Sequence, residues 1–374
     1  MPSVRKDSRL LSQRIPLTFF SSLSPLFPLG KLPKDRMMIM SGSLSAEKKL
    51  VSVVVPIYNE ERYIAGVIES VLRQDYGMEH MEILLVDGCS SDRTVEIIQQ
   101  YQSAHPGIQL LNNPKRTVQS ALNIGVRAAA GEYIVRLDAH AEFAPDYVSK
   151  SIEILERTDA EDVGGPMIAR WKTPVQRAMA AAYHSPFVVG DCKNHKEGYE
   201  GYADTVFLGA FRRQYLLDIG AYDERLPCNE DDDLTFRMTE RGDKIYISSD
   251  IKSIYYPRDS YRALFKQRFR YGYWKVAVAK KHGRPARLGH LIPLCFFLFL
   301  LIFAVLSVFF TWCRILYGAV LGLYMILNLV FSICNPYTHS AADVLRLFWI
   351  HFIIHLSYGI GYFCGLFRFL PRKF

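Results

Sequence analysis

The chain has 374 residues, 50% of them apolar, 13% aromatic and 22% charged, a composition that excludes a disordered protein. From Leu288 to Ala342, 55 residues, Arg314 is the only Lys, Arg, Asp or Glu, which excludes a wholly soluble chain. The net charge of +8 divides into +6 over residues 1–49, −12 over residues 50–251, +10 over residues 252–287 and +4 over residues 288–374. An acidic main block argues against nucleic acid as a partner, and a basic segment bordering an apolar run suits anionic lipid head groups or a polyphosphate ligand.

Residues 1–49 form a lead in which Pro16, Pro25, Pro28 and Pro33 interrupt an apolar stretch, so no spanning helix is expected there. No small-residue cleavage site follows it, the segment is expected to be disordered, and Met37, Met38 or Met40 is an alternative start. From Leu50 the pattern becomes regular. Leu50–Ile57 is a β-branched run and is expected to be a buried strand. Ile64, Val67, Ile68, Val71 and Leu72 fall on one face of a helix over Glu61–Gln74. Glu82–Asp87 is a second strand, and Ser91 is placed to cap a helix running to Ala104. Ile108–Leu111, a helix over Val118–Ala130 and a strand over Glu132–Asp138 complete an alternation that predicts an α/β fold with a parallel, doubly wound sheet. No G-x-G-x-x-G follows the first strand, which disfavours a dehydrogenase-type dinucleotide fold. Beyond His140, helices are expected from Pro145 to Arg157, over Pro174–Tyr183 and over an acidic segment from Asp231 to Arg241. Val163–Arg170 reads as extended and 185–204 as a polar loop, and Thr205–Phe211 and Gln214–Ile219 are further ordered segments of the block.

Ligands of doubly wound sheets sit at the carboxyl ends of the strands. Those ends are Pro56–Asn59, Asp87–Ser91 and Asp138–His140. Asp138 and His140 have the chemistry to hold Mg²⁺ or Mn²⁺ against a diphosphate, or they form a simple turn. Asp87 can accept from a base N–H while Asp92 caps the next helix, or both serve an Asx-turn. Glu230, Asp231, Asp232 and Asp233 are four carboxylates in a row, readable as a solvated helix start or as a base or metal cluster. In the basic segment, Arg258, Arg262, Lys266, Arg270 and Lys281 alternate with aromatic and apolar residues, as in a helix lying in the head-group plane; an arginine reaching a diphosphate is the alternative. The seven cysteines show no disulfide framework and suit a reducing compartment; Cys192 and His195 have C-x-x-H spacing without a second pair.

Taken together, Val53-Val-Val-Pro-Ile-Tyr-Asn-Glu60, Leu85-Val-Asp-Gly-Cys-Ser-Ser-Asp92, Ala121-Leu-Asn-Ile-Gly125, Leu137-Asp-Ala-His140, Glu230-Asp-Asp-Asp-Leu-Thr-Phe-Arg237 and Gln267-Arg-Phe-Arg-Tyr271 resemble the motifs of family 2 inverting glycosyltransferases of the GT-A fold. The likeness covers about 50–275 and looks most like the glucosyltransferases of succinoglycan-type exopolysaccharide assembly. It implies a GT-A domain over 50–257, with Pro56, Tyr58, Glu60, Asp87, Asp138, Gln267 and Arg270 on the nucleotide. It further implies Asp138 and His140 on Mg²⁺ or Mn²⁺, and Asp231 as catalytic base beside Glu230. His140 and Gly88 stand where the family often has Asp, and Tyr271 where it has Trp.

A basic amphipathic segment is expected over 258–287 and a membrane domain over 288–374, with spans at 291–312, 315–334 and 347–367. The positive excess before the first span predicts a multi-pass protein of the cell membrane with its catalytic block in the cytoplasm. The resemblance then implies transfer of a sugar, glucose first, from a UDP-sugar to a polyprenyl-diphosphate-linked saccharide, with other polysaccharide-assembly proteins as further partners. A polyprenyl-phosphate sugar synthase, a processive polysaccharide synthase and an inactive membrane scaffold are the competing readings.

Overall fold

A computed structural model describes residues 48–371. The expected disorder of the lead, and the charges Arg372 and Lys373, lie outside the described residues apart from Lys48 and Lys49.

Seven elements follow the expected alternation: β1 (Val51–Ile57), α1 (Ile64–Leu72), β2 (Met81–Asp87), α2 (Thr94–Ala104), β3 (Ile108–Asn112), α3 (Val118–Ala128) and β4 (Tyr133–Arg136). β1 pairs in parallel with β2 and β4, and β2 with β3. The continuous apolar run of β1 has a direct cause. Val53 and Val55 face a core with Ile64, Ile68 and Ile98, whereas Val54 faces Ala121, Leu122 and Val126 on the other side. Both faces of the strand are dry, as parallel sheets require.

The second half holds β5 (Ala141–Phe143), α4 (Tyr147–Arg157), β6 (Asp162–Gly165), β7 (Ile168–Ala169), α5 (Pro174–Tyr183) and α6 (Pro186–Val189). There follow β8 (Gly201–Ala203), β9 (Phe207–Arg212), α7 (Arg213–Asp218), α8 (Glu230–Arg241), β10 (Ile245–Ile247) and β11 (Ser253–Tyr255). The main sheet runs β3-β2-β1-β4-β9-β6-β10-β8, and β5-β11-β7 form a small one. The sheet is parallel only in part: β9 lies antiparallel to both β4 and β6, and β8 antiparallel to β10. β9 follows the long 185–206 connection rather than a crossover helix, so nothing forces it to run parallel.

Four long helices end the chain: α9 (Tyr261–Lys281), α10 (Ile292–Phe309), α11 (Thr311–Ile333) and α12 (Ala341–Phe369). The last three are long and apolar enough to cross a membrane. Two expected bounds are corrected. The break between the first two falls at the extended Phe310, and Cys313 and Arg314 lie inside α11. Arg314 Nε donates to the Ser307 carbonyl (3.1 Å), satisfying a terminal carbonyl of α10. α12 begins at Ala341 rather than 347, because Ser340 accepts from the Asp343 N–H and Asp343 pairs with Arg177 of α5. Hydropathy discounts that charged first turn.

Within the basic segment, α9 packs along α12, with Gly272 against the Tyr358 carbonyl and Gly361 against the Phe269 carbonyl. Several of its cations are used inside the protein. Lys275 and Lys281 pair with acidic groups of the catalytic block, and Lys280 donates to the Phe369 and Leu370 carbonyls at the end of α12.

Candidate active site

The loops after β1 and β2 form one rim of the cleft. Asn59 and Cys89 both take left-handed backbone conformations, φ 54° and 59°. The Asn59 side-chain oxygen accepts from the Ser91 N–H (2.8 Å), and the Glu60 N–H donates to Thr94 Oγ1 (2.8 Å). Asp92, not Ser91, serves the start of α2, accepting from the Thr94 N–H (3.1 Å). These bonds explain why α1 and α2 start later than apolar periodicity suggests. Asp87 is buried at the end of β2 and accepts from the Ser90 N–H (3.0 Å) and hydroxyl (2.5 Å). Pro56 lies beside Val86 in register, Tyr58 is exposed, and Glu60 is partly buried.

Arg136, the last residue of β4, organises the floor. Its guanidinium pairs with Asp231 and lies 3.6 Å from both Asp138 and Glu230. Burial opposes its charge, but Asp231 and Asp138 hold it firmly protonated, well above its ordinary value. Arg136 carries no assigned role in the sequence reading. The available signal was a charged residue ending a buried strand, which demands nearby anions. Asp162 of β6 was missed as well: buried, with Oδ1 lacking a hydrogen-bond partner, it lines a small pocket with Arg136, Tyr222 and Asp231. Burial raises its carboxyl well above the carboxylate range.

His140 Nδ1 faces the Glu60 carboxylate at 3.6 Å, which raises the imidazole above its ordinary value. Among the described residues no three His, Cys, Asp or Glu side chains form a ready metal cluster. Asp138 and His140 remain open to the cleft, with side chains 23% and 35% exposed. A carboxylate and an imidazole, with positions left for a diphosphate, fit Mn²⁺ or Mg²⁺. Cys192 donates to Asn194 Oδ1 (2.9 Å).

The four carboxylates of α8 are not a solvated cap, because each has its own partner. Glu230 accepts from Gln119 Nε2 (2.9 Å) and faces Arg136. Asp231 takes Arg136 and Asp232 takes Lys275 of α9 (2.5 Å). Asp233 is fully buried with Lys281 (2.6 Å), His282 (2.8 Å) and Arg237 (3.1 Å). Burial first, and then the charge of Asp231, push Glu230 up to about 7. Burial also raises Asp231, with Arg136 acting downward and the neighbouring Asp138 upward. The Asp231 side chain is 57% exposed, so it can be reached from solvent.

The Gln267–Tyr271 stretch joins this helix. Arg270, exposed, donates to the Pro227 carbonyl, and Asn229 Nδ2 donates to the Tyr271 carbonyl (3.1 Å), so both hold the loop that starts α8. Gln267 lies between the Tyr183 and Tyr271 hydroxyls, at 3.5 and 3.3 Å. Asp138, Glu230 and Asp231 meet around Arg136, Glu60 and His140 meet beside them, and Asp87 keeps to the far rim.

The carboxylate-rich cluster lies at the strand ends of a partly parallel α/β sheet, followed by membrane-length helices. Residues 52–220 match the glycosyl transferase family 2 domain. The chain is 31% identical to the succinoglycan biosynthesis protein ExoA of Rhizobium meliloti (strain 1021), over 65% of this chain and 74% of that protein. It therefore belongs to glycosyl transferase family 2. It is also 27% identical to the dolichyl N-acetyl-alpha-D-glucosaminyl phosphate 3-beta-D-2,3-diacetamido-2,3-dideoxy-beta-D-glucuronosyltransferase of Methanococcus voltae, over 85% of this chain and 97% of that one. In fold it is similar to the mannosyltransferase PcManGT from Pyrobaculum calidifontis, solved with GDP-Man and Mn²⁺: TM-score 0.57, 17% identity, 86% of this chain and 88% of that chain.

Proposed function

We propose that this enzyme transfers a sugar, glucose as first candidate, from a UDP-sugar to a polyprenyl-diphosphate-linked saccharide, with inversion, at the cytoplasmic face of the cell membrane. The observation that supports the reading is the Arg136 cluster, in which one guanidinium pairs with Asp231 and lies 3.6 Å from Asp138. The printed names of two relatives, one a succinoglycan biosynthesis protein and one a transferase onto a dolichyl-linked sugar, support a lipid-linked glycan as product class. Participation in an exopolysaccharide or capsule assembly complex is part of the same proposal.

In this mechanism Asp231 accepts the proton of the acceptor hydroxyl. The freed oxygen pair attacks the anomeric carbon from the face opposite the diphosphate, and the glycosidic C–O bond breaks with its electrons leaving on UDP. Arg136 holds one Asp231 oxygen, orienting the other towards the acceptor. Asp87 receives the uracil N–H, with Pro56 and Tyr58 beside it. Glu60 holds His140, and Gln267 and Arg270 approach the diphosphate from α9. Asp138 and His140 would hold Mn²⁺ or Mg²⁺, which when bound neutralises the leaving diphosphate.

The test is transfer of radiolabel from UDP-glucose by the full chain in detergent, with a lipid-extractable acceptor. Label in a lipid-linked product released by mild acid supports the reading, and EDTA should abolish the transfer. Label on polyprenyl phosphate itself, or in a long polymer, would replace it with one of the other two enzymes. No transfer from any nucleotide sugar would leave a scaffold.

A further inference from the structure

Arg268 stands next to the motif glutamine and outside every role assigned above. Its Nε is sealed from solvent and has no hydrogen-bond partner. Its guanidinium carbon lies 4.7 Å from the centre of the Tyr183 ring and 5.6 Å from that of Tyr271. Besides burial, the leading groups acting on its charge are tyrosines, with Tyr183 also a hydrogen-bond partner. Arg268 is partly buried, and two such rings offset only part of the cost of taking a cation out of water. An arginine so placed has capacity left for an anion.

Its location narrows the choice of anion. Tyr183 shares a core with Leu264 of α9 and with Leu347, Ile350 and Ile354 of α12. The same ring lies 6.2 Å from Tyr255, which lies 6.4 Å from His140. Arg268 therefore sits at the seam between the catalytic block and a membrane-length helix, two aromatic rings from the candidate metal ligands. The reaction proposed brings in two phosphate-bearing substrates. The donor diphosphate belongs with Asp138 and His140. The acceptor diphosphate arrives from the bilayer, along the seam.

We propose that Arg268 binds the phosphate of the lipid-linked acceptor, gripping it bidentately where α9 meets α12. This rests on the lipid-linked acceptor reading above. The phosphate chemistry is common to both substrates, so the test separates their sources. The full chain in detergent is titrated calorimetrically with farnesyl diphosphate, a short polyprenyl diphosphate, and separately with UDP plus Mn²⁺. Arg268→Lys keeps the charge and loses the fork. It should weaken farnesyl diphosphate about tenfold or more and change UDP less than about twofold. Arg262→Lys, exposed on the same helix, should change neither. In the wild-type chain, farnesyl diphosphate and not UDP should protect Arg268 from phenylglyoxal, read by peptide mass spectrometry, a measurement that needs no variant. Equal weakening of both ligands would assign Arg268 to the donor and overturn the proposal. Unchanged affinities, or no protection by farnesyl diphosphate, would leave it a packing residue and also overturn it, with the acceptor reading intact. Wild-type protein that binds UDP but not farnesyl diphosphate would remove the lipid-linked acceptor itself.

Discussion

An ion pair weakens a base, and Asp231 rests against Arg136. In the proposed mechanism the second carboxylate oxygen therefore does the proton transfer. Asp231→Asn keeps the shape and loses the basicity, so turnover should fall about 10²–10⁴-fold while UDP affinity holds. Near-wild-type turnover in a radiolabel assay would remove Asp231 as base. Glu230 makes a separate prediction. Its carboxyl is raised from an ordinary 4.5 to about 7, so the folded chain holds that proton more tightly than the unfolded chain. Stability from this group is full below the unfolded value and is lost as pH rises through about 7. Glu230→Gln mimics the protonated form. It should raise the melting temperature at pH 8, by on the order of 2 kcal/mol of stability, and leave it nearly unchanged at pH 4. Equal effects at both pH values would contradict the assignment. β4 ends at Arg136, so Asp138 and His140 lie in the connection between β4 and β5 rather than at the end of the strand expected to reach Asp138. Arg136 went unread because two of its anions come from α8, 94 or more residues along the chain.

At the scale of elements, the acidic start of α8 divides by face. Glu230 and Asp231 turn to the cleft; Asp232 and Asp233 turn to α9 and its C-terminal flank. α9 and its C-terminal flank thus clamp the helix that carries the proposed base. Asp233→Asn would leave Lys281, His282 and Arg237 without their shared anion in a buried place, a cost of about 3–5 kcal/mol. A fall in melting temperature with loss of activity is expected. A variant melting within a degree of wild type would show that the clamp contributes little. The helix itself was legible from its apolar spacing and its Glu-Asp start. Its partners were not, because a row of like charges reads locally as repulsion until the opposite charges of a distant helix are brought alongside.

Across the whole molecule, α9 and α12 approach closely enough for carbonyls to touch glycines. A Cβ on Gly361 would stand 2.1 Å from the Phe269 carbonyl oxygen, so the two helices would have to part. Gly361→Leu should cost about 1–3 kcal/mol by overpacking and lower activity through the loosened α9. Unchanged melting and turnover would mean that the catalytic block does not depend on that seam.

The sequence by itself determined the alternation of strands and helices up to β4, the polar residues at the strand ends and the membrane-length apolar runs. Each is a local matter of spacing, β-branching or hydropathy, readable within a window of some twenty residues. Only the tertiary structure decided that β9 enters antiparallel, that Arg136 draws Asp138, Glu230 and Asp231 together, and that the basic helix spends Lys275 and Lys281 on the acidic block. Those outcomes depend on which distant charges and faces share a volume once the chain closes, and charge pairing across sequence separations of 40 to 100 residues leaves no local periodicity to read.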